Sequence, residues 1–156
     1  MVSQDTFLFN DTVRNNITLY QEFAQKEIDR AVEEAGLKDF IDSLPEGILT
    51  MVEENGKNFS GGEKQRISLA RAILRKSSVL LLDEFTANLD QLTAKEIEQR
   101  LLLRKDCLLI AVTHRLTPEL LRQYDKILVM SLGRIAAWGT YDELQKEKVV
   151  IFSKNG

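Results

Sequence analysis

The sequence predicts an α/β fold built on a parallel sheet, and three observations carry that prediction. Two wholly apolar runs, Val79-Leu80-Leu81-Leu82 and Cys107-Leu108-Leu109-Ile110-Ala111-Val112, have the length and composition of strands covered on both faces. Gln91 to Leu103, with Ala94, Ile97 and Leu101 on one face, reads as the helix that parallel neighbours need between them. Each run ends in polar residues, Asp83-Glu84 after the first and Thr113-His114-Arg115 after the second. In open α/β sheets that carboxyl end is where ligands sit.

Composition narrows the function classes. The chain has 156 residues, 44% of them hydrophobic, enough for one core and a small appended subdomain. A net charge of −3 with 29% charged residues leaves no basic footprint for nucleic acid or anionic lipid. The single cysteine, Cys107, falls inside an apolar run and excludes a disulfide scaffold. No apolar run approaches the ~20 residues that cross a bilayer. Contact with a membrane is therefore expected only through a partner or through chain outside this sequence.

From the N-terminus, Val2 reads as the last residue of a strand. Residues 21–44 read as helical: Ala24, Ile28, Ala31, Val32 and Ala35 recur at helical spacing, with Gly36 as a stop. Leu37 to Leu44 makes a second short helix before Pro45. Gly47 to Phe59 is loop. Gly56-Lys57 invites the phosphate-loop pattern G-x-x-x-x-G-K-[ST], but Met51 stands where the first glycine belongs, Asn58 replaces the Ser/Thr, and no strand precedes it. No other lysine does better, so that motif is absent from the sequence.

The densest stretch runs from Asn58 to Asp90. Ser60-Gly61-Gly62-Glu63 is a capping box, with Ser60 at the N-cap and Glu63 at N3. A helix should follow from about Gly61 to about Lys76. Lys64, Ser68, Arg71 and Arg75 would form its polar stripe, and Ile67, Ala70 and Leu74 its core stripe. Further on, Thr117-Pro118 opens a short helix through Gln123. Lys126 to Met130 and Arg134 to Trp138 form a hairpin turned at Leu132-Gly133. Thr140-x-x-Glu143 is a second capping box, heading a helix through Lys146.

A capping box or an acid pair after a strand is ordinary on its own; their order and spacing are not. Phe59-Ser60-Gly61-Gly62-Glu63 followed by Lys64-Gln65-Arg66 resembles the signature motif of ATP-binding-cassette (ABC) ATPases. Val79 to Glu84 resembles their Walker B strand, and Ala87-Asn88-Leu89-Asp90 their D-loop. Gln4, ahead of Asp5-Thr6-Phe7-Leu8-Phe9, is similar to the Q-loop, and residues 9–17 to the segment after it in exporter-type members. His114 in its Val-Thr-His turn is similar to the H-loop. The resemblance spans Gln4 to about Glu143.

The resemblance implies a partial ABC-ATPase, P-loop NTPase-like fold. Its parallel sheet would have helices on both faces, with a helical subdomain beside it. The phosphate-loop (Walker A) strand and the antiparallel subdomain would be missing. Residues ~10–58 would be the helical subdomain, 1–9 and 59–148 the rest of the α/β core, and 149–156 a tail. The most economical account is a C-terminal piece of an exporter ATPase, expected to be inactive when isolated because it lacks Walker A.

ATP hydrolysis needs the γ-phosphate charge neutralised, Mg²⁺ fixed and a water aimed in line. Asp83 is placed to hold the ion's shell, and Glu84 to act as general base. By resemblance, Gln4 reaches the ion and the water, and His114 contacts the γ-phosphate. The first amides of the signature helix lie at a natural anion site, and Gly61 and Gly62 allow close approach of phosphate. Ser60, Gly61, Gly62 and Glu63 would close over ATP held by a second nucleotide-binding domain, head to tail, with Asp90 in the D-loop. Glu63 departs from the commoner glutamine, and as an N3 cap it is expected to fold back onto its own helix.

Transmembrane domains, in the same or another chain, would place the protein at the cytoplasmic face of a membrane. Two alternatives stand beside this export reading. One is a soluble ABC ATPase of translation or DNA maintenance; the 55 residues between Gln4 and Ser60 leave no room for the long coiled-coil insertion of the DNA-maintenance members. The other is a non-catalytic interaction fragment.

Overall fold

In the computed structural model, which describes Val2 and residues 6–147, the chain divides into two compact units, Met1–Val112 and Thr113–Gly156. The first holds the parallel pair. Strand β1 (Val79–Asp83) pairs with β2 (Leu108–Val112), Val79 opposite Leu108 through Asp83 opposite Val112. Val2 flanks β1 on its other edge. Its N–H donates to Leu81 O at 2.8 Å, and its carbonyl accepts the Asp83 N–H at 2.9 Å. Val2 is thus paired as a strand residue, and β1 is interior.

The apolar runs are not covered on both faces within this unit, as the sequence led us to expect. Leu80 and Leu82 are buried, whereas Val79 (49% exposed), its in-register partner Leu108, and Ile110 and Val112 further along β2 stay open. The helices of this unit cover one face only, and an apolar strand has no alternation in its sequence to announce that.

Helix α1 (Val13–Thr18) was not expected; α2 (Gln25–Glu34), α3 (Lys38–Ser43), α4 (Gly61–Leu74) and α5 (Gln91–Leu102) were, within a few residues. Helix α2 starts at Gln25 rather than near residue 21, behind an Ala24 N–H that donates to Glu27 Oε2. It ends as expected at Gly36, whose φ of +66° suits a residue without a Cβ. Short 3₁₀ turns at Gly47–Leu49 and Glu54–Gly56 punctuate the following loop.

Helix α4 ends two residues before Lys76, which adopts a left-handed φ of +49°. Its predicted polar stripe is largely enclosed. Ser68 of that stripe is buried and Lys64 partly so, and Gln65 beside it is buried too, because α1 and α2 both pack on α4 while Ile67, Leu69, Ile73 and Leu74 meet the core around Leu80 and Leu82; Arg75 stays exposed. Arg71 is half-buried, and its Nε donates to the Asn16 carbonyl at 2.8 Å. Asn16 in turn is fully buried. Its side chain accepts the Phe9 N–H and donates to the carbonyls of Phe9, Asp11 and Thr12. That knot fixes the segment leading into α1.

The second unit contains α6 (Pro118–Leu121), strands β3 (Ile127–Ser131) and β4 (Arg134–Gly139), and α7 (Tyr141–Lys146). Helix α6 stops short of Gln123, and Thr117 makes no side-chain cap. The antiparallel hairpin turns at Leu132 and Gly133, both at positive φ as a two-residue type I′ turn requires. Thr140 and Glu143 form the second capping box, Thr140 N–H donating to Glu143 Oε2 at 2.8 Å. Residues 149–156 lie outside the described residues.

Candidate functional site

The N-terminus of α4 is built as the capping box predicts. Ser60 has an extended backbone; its Oγ accepts the Glu63 N–H at 3.3 Å, and its own N–H donates to Glu63 Oε2 at 2.7 Å. Glu63 is therefore folded back on its helix, with its charge engaged at the cap. The earliest amides, on Gly61 and Gly62, have no partner further back in the helix.

The two glycines differ in their surroundings. Gly61 is exposed, and a Cβ there would lie 3.2 Å from the Asn88 side chain. Gly62 is buried. A Cβ there would lie 2.7 Å from the Asn88 carbonyl oxygen and 2.9 Å from the Leu89 side chain. The signature glycines and the turn after β1 are thus in direct contact within one chain.

That turn starts at the acids. Asp83 and Glu84 are both partly buried at the carboxyl end of β1. Glu84 takes a φ of +45°, uncommon for a residue with a Cβ and worth roughly 1–3 kcal/mol of strain. It is pinned on both sides: its N–H donates to the Val112 carbonyl, and its own carbonyl accepts the Ala87 N–H, each at 3.0 Å. A second tight turn follows, with Leu89 N–H donating to Thr86 O at 3.1 Å. Asp90 then caps α5, accepting from the N–H groups of Leu92 and Thr93. The Thr93 N–H, foremost among those hydrogen bonds, holds the Asp90 carboxyl below its ordinary pKa.

The first unit therefore holds Ser60, Gly61, Gly62 and Glu63 at the start of α4 and Asp83, Glu84 and Asp90 around the turn after β1, and the contact it shows between the two groups is that of Gly61 and Gly62 with Asn88 and Leu89. Gln4 lies outside the described residues. His114 belongs to the second unit, where it is exposed, two residues past the end of β2, in a turn whose Thr113 Oγ1 accepts the Arg115 N–H at 3.0 Å. Among the described residues no three His, Cys, Asp or Glu side chains converge on a metal position.

Sequence reasoning missed several participants. Asn88 stands in the D-loop stretch but gives no local hint that its carbonyl seats Gly62. Glu98 is buried and accepts a hydrogen bond from the buried Thr86 hydroxyl at 3.4 Å. Helical spacing could have found Glu98: it lies four residues after Ala94 and three before Leu101, a charge on the apolar face.

Comparison with known proteins gives the family and the fold. The ABC transporter family model matches residues 1–87, more than half the chain. The chain belongs to the ABC transporter family. It is 42% identical over 149 residues to an ATP-dependent lipid A-core flippase of Photobacterium profundum, covering 94% of this chain and 25% of the relative. An ABC-type transporter, fsqE, of Aspergillus fumigatus is 40% identical over 148 residues, 92% of this chain and 11% of that protein. Among solved structures, a bacterial Atm1-family ABC exporter with ATP bound superposes with a TM-score of 0.88 at 35% identity, over 97% of this chain and 27% of the other. The chain spans about a quarter of the flippase it matches. The expected partial ABC-ATPase α/β fold is the one observed.

Proposed function

We propose that this chain is the signature, Walker B and H-loop part of an ATPase that hydrolyses ATP to drive export across a membrane. The observation that carries the reading is the contact of Gly62 with Asn88, which joins the signature helix to the turn bearing Glu84. Family membership supports it, as does the ATP dependence stated in the flippase's name. Residues ~10–58 are assigned to the helical subdomain, 1–9 and 59–148 to the remaining core, and 149–156 to the tail.

Asp83 is the carboxylate suited to Mg²⁺, a hard cation that takes one or two carboxylates and keeps several waters. When bound, the ion would offset the charge of the phosphates. Glu84 accepts the proton of the attacking water, its carboxylate set by a backbone held at both ends. Gln4 is assigned to the ion and the water, and His114 to the γ-phosphate.

Ser60, Gly61 and Gly62 present the helix terminus to ATP bound by a second nucleotide-binding domain, Glu63 maintains that terminus, and Asp90 closes the D-loop. No described helix is long and apolar enough to cross a membrane. Transmembrane domains supplied outside this stretch would hold it at the cytoplasmic face.

The test is Glu84→Gln in the full-length protein. Glutamine keeps the size and loses the base, so turnover should fall by roughly 10²–10⁴-fold while ATP binding persists. Turnover close to that of the parent would remove Glu84 from this role.

A further inference from the structure

We infer that Glu98 is a positioning residue for hydrolysis: its buried carboxylate anchors, through the Thr86 hydroxyl, the turn that carries Glu84 and touches the signature helix. The inference rests on the proposed ATPase reading and adds to it a residue remote from the phosphates.

Glu98 is 5% exposed and Thr86 8% exposed. Burying a carboxylate is unfavourable unless it is hydrogen-bonded, and an apolar side chain of similar volume usually serves packing as well or better. The rest of that face of α5, Ala94, Ile97 and Leu101, is apolar and buried. A carboxyl group retained there needs a reason other than packing.

Its partner supplies one. Thr86 lies two residues after Glu84 and two before Asn88. Both tight turns of the segment pass over it, one closed by Ala87 N–H to Glu84 O and one by Leu89 N–H to Thr86 O. Strained backbone such as that of Glu84 persists only where its surroundings over-determine it. The Val112 carbonyl fixes one side of Glu84; Thr86 on Glu98 fixes the chain leaving the other. The same anchor sets the height of the Asn88 carbonyl, which rests where a Gly62 side chain would be. One buried hydrogen bond thereby governs two elements of the site.

A packing role and a positioning role predict different results. The full-length transporter is compared with Glu98→Leu, Glu98→Gln, Thr86→Val and the double variant Thr86→Val/Glu98→Leu. The readouts are kcat, KM for Mg-ATP, equilibrium binding of a non-hydrolysable ATP analogue, and Tm. Glu98→Leu and Thr86→Val should each lower kcat roughly 10- to 100-fold, the scale of a misplaced catalytic group, with KM and analogue binding little changed. The double variant should be no slower than the slower single variant, because the Thr86–Glu98 interaction is already lost in each. Glu98→Gln should restore most of the rate, since its amide oxygen can still accept the Thr86 proton.

Parental kcat in Glu98→Leu overturns the inference, and so do single effects that multiply in the double variant. Should Glu98→Leu fail to fold, Thr86→Val and Glu98→Gln decide: parental kcat in Thr86→Val, or no rate advantage of Glu98→Gln over Thr86→Val, overturns it. A parent without ATPase activity, or one indifferent to Glu84→Gln, defeats the ATPase reading and this inference with it. A parent silenced by Glu84→Gln but indifferent to Glu98→Leu defeats this inference alone.

Discussion

The carbonyl oxygen of Asn88 occupies the space a side chain at Gly62 would need, 2.7 Å from where its Cβ would stand. The obstruction is main chain, held within a tight turn, so it cannot swing aside as a side chain could. Helix propensity favours alanine over glycine by roughly 0.5–1 kcal/mol. Overpacking against a fixed neighbour costs about 1–3 kcal/mol and should win at Gly62. Gly62→Ala is expected to lower Tm and slow ATP turnover. Gly61→Ala, whose nearest neighbour is the Asn88 side chain, should leave Tm unchanged or raise it. Melting curves of the two variants in the parent protein decide the matter; equal Tm values would show that the Asn88 turn yields freely.

Asp90 gives a prediction in pH. Its carboxyl is held below the ordinary 3.8 by the Thr93 N–H first, with Leu92 contributing. A pKa depressed on folding contributes stability that is fully present above the unfolded value and is lost as pH falls through the folded one. The stability gap between the parent and Asp90→Ala should therefore be constant near neutrality and shrink below 3.8. Asp90→Asn, an equally good cap without a titrating group, should keep its advantage over Asp90→Ala at acid pH. Denaturant titrations of the nucleotide-binding domain across that range test this, and a gap independent of pH would show that the carboxylate charge does not matter to the cap.

Two arginines on Glu34 separate geometry from proximity. Arg104 donates to Glu34 at 2.7 Å and reaches Asp106 through Nε and Nη2, tying α2 to the turn between α5 and β2. Its side chain is 13% exposed, against 76% for Arg30, which pairs with the same Glu34 four residues along α2. Arg104→Ala is expected to cost about 1–3 kcal/mol, since it removes several charge-assisted hydrogen bonds from a shielded position. Arg30→Ala should cost at most about 0.5 kcal/mol, as exposed helix pairs do. Urea unfolding midpoints of the two variants read the difference directly, and equal midpoints would refute the ranking.

What the sequence made legible follows the reach of the interactions. The Ser60–Glu63 and Thr140–Glu143 boxes, the stop at Gly36 and the Leu132-Gly133 turn each depend on residues within four positions of one another, so their geometry is written locally. The order of β1, α5 and β2 was legible because parallel neighbours require a crossover. Helix α1 was not, because Asn15 and Asn16 are poor helix formers. It is held by a buried asparagine whose partners lie up to seven residues away and by Arg71, 55 residues on. The burial of Ser68, in the expected polar stripe, and of Gln65, beside it, escaped for a similar reason: both are enclosed once α1 and α2 settle on α4. In the site, the acids and the cap were readable, whereas the Asn88 seat and the Thr86–Glu98 bond depend on how separate elements meet.

Ser60 has two tasks that one substitution can separate. Its oxygen accepts the Glu63 N–H, which stabilises α4, and its exposed position faces the space in front of the first helical amides. Ser60→Ala removes the cap and should cost about 1 kcal/mol. Ser60→Asp keeps it, because aspartate caps as well as serine and its charge suits the helix N-terminus. Stability of Ser60→Asp should therefore stay within about 0.5 kcal/mol of the parent. On the proposed function, however, the same carboxylate would stand where an anionic phosphate approaches the amides. The proposed ATP-driven closure onto a second nucleotide-binding domain should then fail in Ser60→Asp although the domain is fully folded. In Ser60→Ala, closure should be weakened less than in Ser60→Asp, despite the lower stability. Cross-linking between the two domains with and without Mg-ATP, read beside Tm, measures both tasks at once. If Ser60 were only a helix cap, closure would follow stability and Ser60→Asp would close normally. Normal closure of Ser60→Asp would therefore remove the α4 terminus from the nucleotide site.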